Sequence, residues 1–508
     1  MAVPDEGHSR HGEAPSEAGV GRQAVRGIPW SLGGYAISRA MTLVTTIVLA
    51  RLLTPEDFGL IALAMLALTV LNVLSDGGLT SVLVVRQDFG RPALGTVLTL
   101  LLVAGGAVSL LLVAVAPLVA DLFREPDLTA VLRAIAGISL LSGFYWFYDM
   151  LLQRELEFRK RFVAQLARTV AYGAVALTMA VLGAGVWSLV GGQLAGAVVV
   201  SVVLYVLAPY RVRPSFDRAA AGSALRAGHG FLLQIASSTV QDNLDYLVIG
   251  RVLGAGPLGA YSMAYRLSEV PYASIADPIA RVTFAAMARM KHAGQAVGPM
   301  FLRSLSFTCM LTWPLGLLLS AAADPFTRAV FGDQWLVMIA PLSVLGLWAA
   351  ARATETTMGW FLNAAGEAGR NGRIATYLLA PLALAVILAA EAGGTVAVAW
   401  VLLGHLVVTL LAQAAVAHRR LGVDARSQWR AIRVLLAPAA GCWAATRLAV
   451  EAADALAPVA TLALAVAAGL AAYAALVVLI SPALVRRALQ EARAMLKRPL
   501  AEQSEPAA

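Results

Sequence analysis

The stretch SRAMTLVTTIVLARLLTPEDFGLIALA, Ser38 to Ala64, sets two apolar segments on either side of a polar break, TPED, and plants Arg39 inside the first. An α-helix needs about 20 apolar residues to cross a bilayer, whereas a barrel strand shows about 10 of alternating character. The stretch therefore reads as two transmembrane helices joined by a tight outer loop. If the first enters the membrane near Pro29, Arg39 lies ten residues in, about 15 Å deep at 1.5 Å per residue. A full charge facing lipid there costs at least about 2.5 kcal/mol, so Arg39 needs a partner or a watery cavity.

The rest of the chain repeats this pattern. Of its 508 residues 59% are hydrophobic and 14% charged, and the mean hydropathy is +0.75; soluble domains are about 45–50% apolar and about 25% charged. The fold class is all-α and polytopic. Fourteen transmembrane helices are expected, over 30–50, 58–85, 94–119, 128–152, 162–182, 186–208, 228–250, 257–284, 298–321, 337–362, 374–390, 394–416, 431–450 and 457–481. On this reading the lysines and arginines outside the spans divide twenty-six to five, the five being Arg51, Arg124, Arg251, Arg328 and Arg447. That asymmetry places both termini in the cytoplasm. The net charge of +9 is thus a topology signal, and nucleic acid is not an expected partner.

Other chemistries find no foothold. Cys309 and Cys442 stand alone in apolar runs, without a CxxC or a His/Cys cluster, so neither metal, cofactor nor disulfide framework is expected. No nucleotide-binding loop is present. Every loop between spans is short, which leaves no room for the soluble catalytic domain of a membrane glycosyltransferase or polymerase and argues against an enzyme. The N-terminal MAVPDEGHSRHGEAPSEAGVGRQ has no apolar core and reads as a disordered tail rather than a signal peptide.

Internal repetition organises the spans. RLLTPEDFG from Arg51 is answered by RVLGAGPLG from Arg251, LLQRELEF from Leu151 by FLNAAGEA from Phe361, and GAGVWSLVGGQLAG from Gly183 by AGGTVAVAWVLLGHL from Ala392. Three matches in order at a nearly constant offset imply two pseudo-symmetric six-helix bundles in parallel orientation, with two helices appended. The divisions are a cytoplasmic tail over 1–27, a first bundle over 28–209, a linker over 210–227, a second bundle over 228–418, helices 13 and 14 over 419–485, and a tail over 486–508. Two such bundles with a site between them near the midplane are the plan of an alternating-access transporter.

The intramembrane charges mark candidates for that site. Arg266 in helix 8, about nine residues in from the outer end, lies similarly deep in the second half, and two central cations would suit a diphosphate head group. Asp242 and Asp245 in helix 7, and Arg352 and Glu355 in helix 10, complete the set. Ion pairing is the competing reading: Arg352 and Glu355 are three apart on one helix face, and either aspartate could neutralise Arg39 or Arg266. Arg168 and Arg303 read as snorkelling anchors, and His229 and His405 as hydrogen-bonded structural residues. Pro271 and Pro278 interrupt helix 8 and permit a bend.

SRAMTLVTTIVLARLLTPEDFGLIALA, DGGLTSVLVVRQ and LDYLVIGRVLGAGPLGAYSMAYRLSEVP, the last from Leu244 to Pro271, resemble oligosaccharide flippases of the Wzx type, especially the WzxC-like polysaccharide exporters. That family shares a superfamily of two-bundle transporters, the MOP superfamily, with MATE drug exporters and the lipid II flippase. The resemblance implies a cargo, a lipid-linked oligosaccharide typically on undecaprenyl diphosphate, moved to the outer leaflet of the inner membrane for cell-surface polysaccharide such as lipopolysaccharide. It also implies membrane lipid and other polysaccharide-assembly proteins as partners. A cavity arginine of the lipid II flippase six residues beyond the Arg39 position is Thr45 here, which argues against lipid II itself as cargo. A MATE-like drug or cation antiporter is the alternative, kept alive by Asp242 and Asp245.

Overall fold

The computed structural model describes residues 38–76, 79–80 and 90–482. The expected tails, the start of helix 1 and most of DGGLTSVLVVRQ lie outside these residues, as does the side chain of His229. Among the described residues the chain is helical, with no strand. In order the helices are α1 (38–52), α2 (Pro55–Asp76), α3 (Arg91–Phe123), α4 (Leu128–Arg154), α5 (Phe158–Val181), α6 (Val186–Leu207), α7 (Arg218–Leu253) and α8 (Ala255–Pro271). They continue as α9 (Asp277–His292), α10 (Gly298–Ala321), α11 (Ala323–Val330), α12 (Ile339–Ala364), α13 (Ala368–Leu421), α14 (Ala425–Ala452) and α15 (Pro458–Ile480).

Nine helices among the described residues are long and apolar enough to cross a membrane, against the fourteen spans expected. The shortfall has visible causes. The 54-residue α13 is two rods broken at Gly393 and Gly394, at the boundary expected between the spans 374–390 and 394–416. α8 alone has 17 residues, and it continues through a π-helical turn, Tyr272–Ala276, into α9. α7 and α14 are long enough but carry charged residues along their length. Large apolar side chains face outward, among them Leu110, Leu118, Val181, Leu182 and Leu479, each at least two-thirds exposed, which is the surface a lipid-facing helix presents.

The repeat is written in the backbone. Leu156 and Gly366, each the sixth residue of LLQRELEF and FLNAAGEA, both adopt left-handed φ, +57° and +84°. The turns share their hydrogen bonds: Leu156 N to Gln153 O and Glu157 N to Leu152 O in one, Gly366 N to Asn363 O and Glu367 N to Leu362 O in the other. These are the two bonds that close a helix C-terminus through a left-handed residue. Even the next turn matches, with Lys160 on Glu157 and Arg370 on Glu367. The third pair behaves alike: Gly185 (φ +55°, ψ −134°) opens α6, and Gly394 (φ +62°, ψ −152°) opens the second rod of α13.

The first pair is the contact between the halves. α2 crosses α8 so closely that a Cβ on Gly59 would stand 1.8 Å from the Ala255 carbonyl oxygen, and one on Gly259 1.8 Å from that of Pro55. Exchange of 55/259 for 255/59 leaves the contact unchanged, as a pseudo-twofold axis between two parallel repeats requires. Only glycine permits backbones to meet this way. The same end is tied further. Gln334 Nε2 and Trp335 Nε1 donate to Ala50 O at 2.6 and 2.8 Å, capping carbonyls that the end of α1 leaves open. Arg51 Nε donates to Val330 O at 2.7 Å at the C-terminus of α11, where a cation is favoured. Glu125 accepts from Ala255 N at 2.9 Å, and Phe58 packs edge-on against the buried Trp335.

Two connections are worth placing. The segment before α7 is bound to the first half, with Ser215 N on Gly95 O and Asp217 N on Thr96 Oγ1, and α7 begins at Arg218, within the expected linker. α14 and α15 pack on each other and on α10, where Tyr473 Oη donates to Met310 O at 2.8 Å beside the buried, free Cys309 and Cys442.

Candidate substrate cavity between the halves

α2 from the first half and α7 and α8 from the second splay apart beyond their crossing. A central chamber of about 250 Å³ opens there, walled by Ala62, Met65 and Thr69 on one side and by Asp242, Tyr246, Tyr265, Arg266 and Glu269 on the other. Arg266 and Glu269 are three apart on α8 and so share one helix face. A second chamber of about 350 Å³ lies within the C-terminal half and shares Asp242 and Tyr265 with the first. A third, about 470 Å³, lies against the N-terminal half and shares Met65 and Thr69 with the central one. The three adjoin one another through these shared walls along the interface. By residue order along α2 and α8, the glycine crossing lies between these chambers and the end expected to face outward.

The C-terminal chamber is built around Arg352. Its guanidinium lies 3.8 Å from Asp242 and 3.5 Å from Glu355, over the rings of Tyr272 and Trp348 at 5.5 and 5.8 Å. The π-helical turn beyond Pro271 supplies Tyr272. Glu355 accepts from Gln413 Nε2 at 3.0 Å, and the same amide donates to Asn371 Oδ1 at 3.0 Å. Both carboxylate contacts to Arg352 are long for ion pairs, and among the described residues the buried Arg352 Nε and Gln413 Oε1 have no hydrogen-bond partner. Asp245 is different. Only 3% exposed, it accepts from Tyr261 Oη at 2.7 Å and from Tyr246 N at 2.9 Å, and among the described residues no arginine pairs with it.

Comparisons with known proteins match this architecture. A family model described as polysaccharide biosynthesis protein matches residues 48–340, more than half of the chain. This chain belongs to that family. Family relatives include the lipopolysaccharide biosynthesis protein WzxC of Escherichia coli K12, 26% identical over 77% of this chain and 79% of WzxC. The succinoglycan biosynthesis transport protein ExoT of Rhizobium meliloti is 28% identical over 67% of this chain and 68% of its own length. Among solved structures, the lipid II flippase MurJ in an inward closed conformation superposes with a TM-score of 0.74 at 13% identity, covering 90% of this chain and all of MurJ. An inward-facing MATE multidrug transporter of the MOP superfamily gives 0.60 at 15% identity, over 75% of this chain and 94% of its own. The protein is a multi-pass membrane transporter of the polysaccharide biosynthesis family with the two-bundle fold of that superfamily, and not an enzyme.

Within this family member the expected site residues separate. Arg266, Asp242, Asp245, Arg352 and Glu355 line the central or C-terminal chambers. Arg39 lines none of the three, and its buried Nε has no hydrogen-bond partner among the described residues. Thr45 is 9% exposed and turned into the bundle against Gly173 of α5. Arg303 is exposed, and His405 lines the C-terminal chamber. Arg168, read as an anchor, instead lines the N-terminal chamber. Glu269, Asn371 and Gln413 are the residues sequence reasoning missed. Glu269 carried a signal, its position three residues beyond Arg266; the two amides carried none, because their partners come from other helices.

Proposed function

We propose that this chain flips a lipid-linked oligosaccharide, carried on undecaprenyl diphosphate, from the cytoplasmic to the outer leaflet of the inner membrane, with both termini in the cytoplasm. The observation that carries this reading is the set of adjoining chambers between the two repeats, with Arg266 lining the central one, and Arg39 expected at midplane depth on α1. The lipid tail stays in the bilayer while the sugar crosses between the bundles, and the arginines hold the diphosphate. Rocking of 28–209 against 228–418 exposes the cavity to each side in turn. The kinship with a succinoglycan biosynthesis transport protein, ExoT, and with the lipopolysaccharide biosynthesis protein WzxC supports the same cargo class.

The test is transport in cells lacking the gene and complemented with variants. Arg39→Gln and Arg266→Gln should each reach the membrane at normal level, yet cut export at least about tenfold, a loss of about 1.4 kcal/mol of binding. Lysine at either position should keep partial function, because it supplies charge without the planar fork. Normal export by a well-expressed double glutamine variant would overturn the diphosphate site. Lipid-linked sugar that accumulates on the outer rather than the cytoplasmic face of deletion cells would overturn the flippase reading.

A further inference from the structure

The N-terminal chamber has a composition of its own. At about 470 Å³ it falls in the size range of small-molecule sites, about 300–1,000 Å³. Trp146 and Tyr145 of α4 line it, their rings edge to face with centroids 5.7 Å apart. Asn72 and Asp76 reach it from α2, Arg168 from α5 and Gln193 from α6. Four helices of one bundle thus converge polar groups on an aromatic wall, and Thr239 of α7 borders the chamber from the other half.

Each group is set for use. Ser139 Oγ donates to Asn72 Oδ1 at 2.9 Å, which orients that amide with its NH₂ as a donor. Asp76, 9% exposed, is oriented by the backbone N–H of Thr80 at 3.2 Å. Arg168 stands ten residues beyond the start of α5 at Phe158, about 15 Å along the helix, too deep for a surface anchor. Its stem passes over Gly196 of α6, where a Cβ would come within 3.3 Å of Arg168 Cγ. Among the described residues no carboxylate pairs with it. A cation at that depth, in a cavity and without an ion pair among the described residues, points to a ligand site rather than a structural bridge.

Donors, acceptors and ring faces together fit one chemical class. A pyranose offers a flat patch of C–H groups, which an indole or phenol face covers, and a rim of hydroxyls that both donate and accept. Guanidinium and carboxamide NH groups meet the hydroxyl oxygens, and a carboxylate accepts from the hydroxyl hydrogens. A lipid tail would use none of the polar groups, and a diphosphate would be repelled by Asp76. The chamber also adjoins the central one through Met65 and Thr69, so a sugar in it lies next to whatever Arg266 holds.

We propose that the N-terminal chamber is a saccharide subsite: Trp146 and Tyr145 supply the stacking faces, and Arg168, Asp76, Asn72 and Gln193 the hydroxyl partners, for the sugar next to the diphosphate. The proposal rests on the flippase reading and divides its labour. The central chamber reads the anionic anchor, and the N-terminal bundle reads the sugar and sets specificity.

The experiment compares two probes on the purified full chain in lipid nanodiscs: bare undecaprenyl diphosphate, and the lipid-linked oligosaccharide extracted from cells lacking the gene. The wild type should bind the sugar-bearing probe at least about tenfold more tightly than the bare one. Trp146→Ala and Arg168→Gln should each erase most of that ratio, with affinity for the bare lipid changed less than about threefold. Trp146→Phe, which keeps a ring face, should retain the preference and so separates loss of stacking from loss of fold. Arg266→Gln should weaken both probes together. A preference that survives in Trp146→Ala and Arg168→Gln overturns the subsite, and so does equal binding of the two probes by the wild type. A wild type that binds neither probe removes the flippase reading, and the subsite with it.

Discussion

Asp245 shows how one side chain can be central in the sequence and sheltered in the fold. It sits among the intramembrane charges, yet Tyr261 Oη at 2.7 Å and the Tyr246 N–H hold it. A hydrogen bond to a charged group contributes about 1.5–3 kcal/mol, and removal of the donor strands the carboxylate. Tyr261→Phe should therefore destabilise the protein by about that much, read as a lowered melting midpoint of the purified chain. Tyr261→Phe with Asp245→Asn should recover most of the loss. An unchanged midpoint in the single variant would show that the bond holds nothing. Asp242, an exposed residue on the same helix, meets Arg352 instead and belongs to the cavity.

At the scale of elements, the turn after α4 and the crossing of α2 with α8 carry the clearest consequences. Leu156 occupies a left-handed position that its repeat partner fills with Gly366, and a side chain there costs about 1–2 kcal/mol. Leu156→Gly should raise the melting midpoint, with up to about 1 kcal/mol gained once the entropy of the added glycine is subtracted; a fall would show that the Leu156 side chain contributes more than its backbone strain. The crossing answers in the opposite sense. Gly59→Ala puts a methyl 1.8 Å from the Ala255 oxygen, so α2 and α8 must part. In a background without Cys309 and Cys442, a cross-link between Glu56→Cys and Gly256→Cys should form readily, since a Cβ on Gly256 would lie 2.9 Å from the Glu56 carboxylate. Gly59→Ala should lower its yield severalfold, and an undiminished yield would show that the contact is not a close one.

For the whole molecule the testable property is topology. The arginine distribution places 420 and 454 on opposite sides of the membrane, and both residues are exposed at helix ends. Arg420→Cys should react with an impermeant thiol reagent only from the cytoplasm, and Asp454→Cys only from outside, again without Cys309 and Cys442. Reaction of both from one face would break the alternation of spans on which the cytoplasmic termini rest. At one end the halves meet backbone to backbone, and the chambers lie beyond that crossing, an arrangement that suits the rocking proposed above.

Much of this was legible in the sequence because it depends on composition and on local backbone chemistry. Apolar runs must be helical in lipid, where every peptide group needs an internal partner, so the all-α class and most element positions follow directly. The segments from Arg51 and Arg251, Leu151 and Phe361, and Gly183 and Ala392 recur in order at near-constant offsets, so the two halves could be read as repeats. Depth along a helix is also local, and it singled out Arg266. The direction in which a charge points is not local. It depends on the rotation of each helix and on what its neighbours bring: Thr45 into the bundle against Gly173, Arg168 into an aromatic chamber, Gln413 between Glu355 and Asn371. Those assignments came only from the tertiary structure, because contacts between helices far apart in the chain are set by packing that no single segment encodes.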